Sequence, residues 1–308
     1  MIEARAIGTA VVCSVVLCAV GLLGPTGAAA VLVALPLPSL VLTGIYGTMA
    51  ALLSAALTAV LVGSALGTDA ACFYLALAGI PVAVTVWALQ HGYRIETVVA
   101  LAVAVLVGTL AGLFLASYGS VAALQSAIAG AWTNSFDRAI ELYRTLGMPE
   151  DQLMDIESQR AEFDQGLLPL FPAVAILVSA AVWLVNLRFS SRWVPWPQLQ
   201  NLKQWQAPPW LIWTLIVSGF AMFFPHPVVA VVARNLFIVV LAGYFCQGLA
   251  IVSYFLQRLG LPPGLRVASY LLIGLQEIVA GVVLALGVFD FWGNFRRLGV
   301  PSVDADTE

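Results

Sequence analysis

Charge is what this sequence has least of. Its 308 residues include 13 lysines and arginines and 16 aspartates and glutamates, so 9% are charged against 61% hydrophobic. A soluble domain carries about 25% charged residues, and a water-facing surface cannot be clothed from the set present here. A soluble globule is excluded, and the chain reads as a polytopic membrane protein. Histidine is scarcer still: only His91 and His226 occur, in separate loops where they cannot share a metal or serve one catalytic triad. The four cysteines, Cys13, Cys18, Cys72 and Cys246, each lie inside an apolar stretch without CxxC spacing and read as packing thiols. No glycine-rich phosphate loop of Walker type occurs, and the bases form no cluster that would neutralise nucleic-acid phosphates. These absences predict a non-enzyme without cofactor, metal or catalytic residues, and without a nucleic-acid partner.

What is present is a series of long apolar runs. A bilayer core of about 30 Å calls for about 20 mostly apolar residues per helix. Segments near 6–24, 28–45, 47–66, 70–90, 96–118, 167–188, 209–224, 228–257 and 265–288 fit or approach that length. The expected fold is all-α, a transmembrane bundle of eight or nine helices in the lipid bilayer. The second segment is interrupted by Pro36 and Pro38. Arg5, the apolar run Ala6 to Leu23 and the small residues Ala28, Ala29 and Ala30 imitate a secretory signal, but the run exceeds the usual 7 to 15 residues and reads as an uncleaved first helix. The positive-inside rule weighs Lys and Arg in short loops. With a cytoplasmic N-terminus it gathers Arg5, Arg94, Arg188, Arg192, Lys203, Arg258 and Arg266 inside, as in a bacterial inner-membrane protein. Arg296 and Arg297 are discordant if there are nine helices, and concordant if there are eight.

Two segments are not spans. From Ser120 to Leu146 the residues Val121, Leu124, Ile128, Trp132, Phe136, Ile140 and Tyr143 recur every three or four positions, opposite Gln125, Asn134, Asp137, Arg138 and Glu141, which predicts an amphipathic helix. Pro149 suits a first helical position ahead of Glu150 and Asp151, and Leu153, Ile156, Arg160, Phe163 and Leu167 continue a second helix. Half of the 16 acids fall in this stretch. It reads as an extracytoplasmic acidic helical hairpin on the bundle. The second segment, Arg188 to Trp213, holds Trp193, Trp196, Trp205, Trp210 and Trp213, five of the nine tryptophans, as an interfacial anchor would. The expected organisation is an N-terminal bundle over 1–118, the hairpin over 119–166, a C-terminal bundle over 167–291 with the Trp-rich segment at 189–208, and a polar tail over 292–308.

An ionisable group within the bilayer costs about 2.5 to 3.5 kcal/mol on insertion scales and marks a candidate site. Arg234 and Glu277 lie at similar predicted depth, and the sequence predicts that they pair. Asn235 and Gln247 add neutral polar groups, so Arg234, Asn235, Gln247 and Glu277 either glue helices together or form the candidate ligand-binding set. On the first helix Ala6-x-x-x-Ala10 offers a close-packing face.

The C-terminal half carries three blocks: Leu202 to Trp213 with Trp205, Pro208 and Trp210; Arg234-Asn235-Leu236 followed by Tyr244 to Ile251 with Gln247 and Gly248; and Gly287 to Arg296 with Asp290 and Trp292. In that order they resemble the YybS-like family of bacterial inner-membrane proteins, which has no established activity. The N-terminal part is similar in outline to the substrate-binding subunits of energy-coupling-factor transporters and to MreD-like cell-shape proteins. The resemblance implies a small-solute binding or transport component with a separate energising ATPase module, docked through Ala6 and Ala10. The alternative is a scaffold contacting envelope proteins of cell shape or division. It assigns no role to Asn235, Gln247 or Asp290.

Overall fold

The computed structural model describes residues 2–21, 31, 33–158, 160, 166, 168–200 and 202–296. Helices account for nearly all of the regular structure, and no strand occurs among the described residues. Two compact units result, Met1–Leu199 and Gln200–Glu308. The boundary falls inside the Trp-rich segment, so the helix beginning near residue 168 belongs to the first unit rather than to a C-terminal bundle.

The first unit contains α1 (Ile2–Gly21), α2 (Leu37–Tyr46), α3 (Thr48–Leu66), α4 (Thr68–Tyr74), α5 (Ile80–Gln90), α6 (Ile95–Tyr118), α7 (Val121–Thr145), α8 (Glu150–Ser158) and α9 (Phe171–Ser190). A π-helical turn, Leu75–Gly79, joins α4 to α5 without a break, and the Thr109 hydroxyl of α6 donates to the Ala76 carbonyl within it at 3.2 Å. The span α6 stops at Gly119, whose φ of 77° places it in the left-handed region while its amide donates to Leu115. Only glycine takes that conformation without cost. In the unit's interior α9 packs on α6 and α2. There the Trp183 indole donates to Thr85 Oγ1 at 2.7 Å, and Asn186 Nδ2 donates to the Val33 carbonyl at 2.7 Å. Such interhelical hydrogen bonds hold spans together where lipid supplies no hydrophobic drive.

The second unit contains α10 (Leu211–Ala221), α11 (Pro227–Arg258), α12 (Pro263–Leu275) and α13 (Glu277–Gly293). Among the described residues six helical stretches are long and apolar enough to cross a membrane: Glu3–Gly21, Thr48–Leu66, Thr68–Gln90, Ile95–Tyr118, Leu168–Ser190 and Pro227–Arg258. The pair α12 and α13, bent by 101° at its break, would make a seventh. The expected eight or nine is thus corrected to six or seven. The difference lies in α2 and α10, of 10 and 11 residues, about 15 to 17 Å at 1.5 Å per residue and half a bilayer. Pro36 bounds α2, and the segment 28–45 falls partly outside the described residues. The Gly24-Pro25-Thr26-Gly27 turn lies wholly outside them.

Both expected amphipathic helices form. Ser120 caps α7 by accepting from the Ala123 amide at 3.1 Å, as an N-cap should. Arg160 ties the stretch after α8 back to α7 through Asp137 Oδ1 at 2.9 Å and lies over the Phe136 ring. Arg144 bridges Glu150 and Glu141, and these carboxylates, Glu150 foremost, hold its guanidinium above its ordinary pKa. The continuation predicted through Phe163 and Leu167, and the tail 297–308 with Arg297, lie outside the described residues.

Candidate functional site

The spans are apolar on every side, so their polar exceptions locate the sites. In the second unit α11 and α13 approach backbone to backbone. A Cβ on Gly248 would fall 2.0 Å from the Val283 carbonyl oxygen, and one on Gly287 would fall 1.9 Å from the Tyr244 carbonyl oxygen. No other residue fits at either place. Beside this crossing Ile212, Val240 and Tyr244 pack with Leu284 and Val288. The contact brings Gln247 of α11 against Asp290 of α13.

Asp290 is the centre of a buried polar node. Its Oδ2 accepts from Gln247 Nε2 at 2.9 Å and from Arg296 Nη2 at 2.9 Å, and its Oδ1 accepts from the Phe295 amide at 2.8 Å. The side chains of Asp290 and Arg296 are both fully shielded. Asn294, in the left-handed region at φ 37°, ends α13 and turns the chain so that Arg296 folds back. Arg296 Nη1 also donates to the carbonyls of Lys203 and Trp205, at 2.7 and 3.0 Å. Gln247 Oε1 accepts from the Ala207 amide at 3.0 Å, so both ends of its amide are engaged. A charge buried at this depth is tolerable only when paired and hydrogen-bonded, and this one is. The node ties α13 to α11 and to the segment before α10, with Arg296 Nε left without a hydrogen-bond partner among the described residues.

The candidate set from sequence is therefore split. Gln247 joins Asp290 and Arg296. Asn235 is half-buried and donates to Val231 at 2.9 Å within its own helix. Arg234 is exposed on α11, and Glu277 is exposed at the first position of α13. The predicted Arg234–Glu277 ion pair is not formed among the described residues. The reason is the break at Gln276 (φ −111°, ψ 108°), which makes Glu277 a helix start instead of a mid-span residue. Ala10 is buried against Leu42 and Ala50 of α2 and α3, and Ala6 packs partly buried beside it. The sequence reasoning missed Arg296 as the partner of Asp290. The available signal was an acid near the end of an apolar helix with a base six residues on.

The first unit holds an open cavity of about 730 Å³, lined by Thr43, Gly44, Leu89, Gln90, Trp196 and Gln198 among others. Its wall after α9 is pinned in three places. Val194 sits directly on Gly44, where a Cβ would fall 2.1 Å from it. Trp196 Nε1 donates to Ser190 Oγ at 3.1 Å, and Gln198 Nε2 donates to the Leu89 carbonyl at 2.9 Å. The other end of that amide, Gln198 Oε1, is buried without a hydrogen-bond partner among the described residues, and Gln90 donates to Thr48 Oγ1 at 2.9 Å. Among the described residues no charged side chain lines the cavity, and no cluster of metal-ligating side chains occurs.

Residues 12–291 match a family described as predicted membrane protein (DUF2232). The chain belongs to that family. The match takes in part of α1, the whole of α2 to α12 and most of α13, together with the Gln247–Asp290 contact, and it agrees with the multi-pass helical architecture above. No curated protein and no solved structure matches the chain.

Proposed function

We propose that this DUF2232 member is a non-catalytic inner-membrane protein, its N-terminus cytoplasmic, that binds a small uncharged solute in the cavity of its first unit. The observation that carries the reading is the cavity itself. Its volume of about 730 Å³ lies in the range of small-molecule sites, about 300 to 1,000 Å³. The lining offers neutral amides, a hydroxyl and an indole, with Gln198 Oε1 awaiting a donor. Such groups suit a solute with an apolar body and a hydrogen-bond donor, and give nothing to neutralise a charge. Movement of that solute would need a separate energising partner, since the chain has no nucleotide-binding loop. The three blocks that resemble the YybS-like family support the same placement.

Native mass spectrometry of protein extracted gently from its own membranes tests this. A bound small molecule is expected in the wild type and is lost in Gln198→Leu while the fold is kept. If neither form carries or takes up any uncharged compound, the reading fails.

A second reading, a scaffold for envelope proteins, is favoured by the buried polar node of the second unit. Gln247, which would line a pocket in a solute-binding unit, is used up there in packing. Recovery of cell-shape or division proteins with the intact chain, with no bound solute, would select it.

A further inference from the structure

The spans of the first unit are apolar outside but carry hydroxyls within. Ser14 of α1, Ser39 of α2, Ser54 and Thr58 of α3 and Tyr74 of α4 are each no more than 1% exposed. The Tyr74 hydroxyl faces those of Thr58, Ser39 and Ser14. Ser54 lies one turn before Thr58, whose hydroxyl donates to the Ser54 carbonyl at 2.8 Å. Hydroxyls from four helices therefore gather in one region of the unit. Thr58 is ten residues into α3, about 15 Å from that end of the span at 1.5 Å per residue, and so near the middle of a core about 30 Å thick.

These hydroxyls do not satisfy one another. Ser14 Oγ, Ser39 Oγ, Ser54 Oγ and the Tyr74 hydroxyl reach hydrogen-bond geometry with no partner among the described residues. A polar group buried alone carries its full desolvation cost, and the hydrocarbon of a bilayer offers nothing to relieve it. We infer that the five hydroxyls enclose a binding site for ordered water, distinct from the solute cavity and independent of what that cavity takes.

The chemistry selects the guest. Each unpaired hydroxyl has a proton to give as well as lone pairs to offer. A cation would occupy the lone pairs and leave those protons without an acceptor. An anion would accept the protons but meet no countercharge, since no charged side chain is buried among the described residues of this unit. Water both gives and accepts, and a buried water makes about three hydrogen bonds to groups of this kind. A way in adjoins the cluster. Between α2, α3 and α5 lies a void of about 10 Å³, lined by Thr43, Ala55 and Gly79 among others, and one water needs about 10 to 15 Å³. Thr43 also lines the large cavity, and its hydroxyl donates at 2.8 Å to the carbonyl of Ser39, one turn away. Water thus reaches the middle of a unit whose outer faces are apolar.

Tyr244 supplies the contrast. It too is 1% exposed, and its hydroxyl is without a partner among the described residues. It packs with Ile212, Val240, Leu284 and Val288, however, and no polar side chain among the described residues acts on its hydroxyl. A water there would lack the about two to four polar partners that hold one in place.

Microsecond X-ray radiolysis of the full-length protein in its membranes, read by mass spectrometry, tests the site, because radiolysis of a held water oxidises the side chain beside it. Tyr74 is expected to be oxidised several-fold faster than Tyr244. A radical scavenger in bulk water should protect Tyr93, 41% exposed, and leave Tyr74 as reactive as before. Tyr74 as silent as Tyr244 overturns the site. Protection of Tyr74 by the scavenger overturns it as well, since its oxidation would then come from bulk water. In the double variant Ser39→Ala with Ser54→Ala the Tyr74 rate should fall while that of Tyr93 holds, and an unchanged Tyr74 rate is equally fatal. Should that variant fail to accumulate, the wild-type comparison of Tyr74 with Tyr244 still decides.

Discussion

The carboxylate of Asp290 receives the guanidinium of Arg296 at 2.9 Å, with neither side chain reached by solvent or lipid. The pair closes the end of α13 onto the segment before α10. Removing one partner leaves the other charge buried and alone, which costs about 3 to 5 kcal/mol. Arg296→Ala and Asp290→Ala should each lower the midpoint of thermal unfolding in detergent by several degrees. The double change Asp290→Leu with Arg296→Met should regain part of that loss, because it leaves no lone charge. Equal or greater loss in the double variant would show that the pair stabilises beyond its mutual neutralisation.

Gly248→Ala and Gly287→Ala should separate α11 from α13. Each adds a Cβ about where a carbonyl oxygen already lies, and overpacking of this kind costs about 1 to 3 kcal/mol. Gly281→Ala on the same helix is the control. Nothing stands within 4 Å of its new methyl, and helix propensity favours alanine by up to about 1 kcal/mol, so unfolding should shift upward or not at all.

Trp183→Phe keeps an aromatic ring but loses three buried ring atoms and removes the donor to Thr85. The Thr85 hydroxyl still donates to the Pro81 carbonyl at 2.7 Å, so little is left unsatisfied. A loss of about 1 to 3 kcal/mol is expected, from the hydrogen bond and the vacated ring volume together, read by urea or thermal unfolding. A loss several times larger would assign Trp183 a packing role that phenylalanine cannot fill.

Asp137→Ala breaks the exposed pair with Arg160. Surface pairs contribute about 0 to 1 kcal/mol, so global unfolding should scarcely move. Limited proteolysis near residue 160 should accelerate, and the difference should fade in high salt.

The spans were legible because lipid imposes a length and a composition together, and Ile95–Tyr118 or Pro227–Arg258 satisfy both over their whole extent. The short helices α2 and α10 were not, because hydropathy reports how apolar a run is and not where its backbone turns. Glu277 shows the same limit. The break at Gln276 carries no proline, and its neighbours Leu275 and Glu277 are good helix formers, so nothing local announces that the carboxylate begins a helix. Gln247 was legible as a buried polar residue, but its partners lie 43 positions along at Asp290 and 40 positions back at Ala207. A single sequence does not say which distant groups meet. The cavity has the same origin: Gly44 and Val194 define its wall through tertiary contact alone.

The π-turn at Leu75–Gly79 carries one residue more than an α-helix would place there. Deleting a single residue between Leu75 and Gly79 should therefore regularise the span instead of breaking it, and leave the faces of α4 and α5 in register. The hydroxyl of Thr109 would lose the carbonyl it now meets. At this turn the segment can change length by one residue and still cross the bilayer.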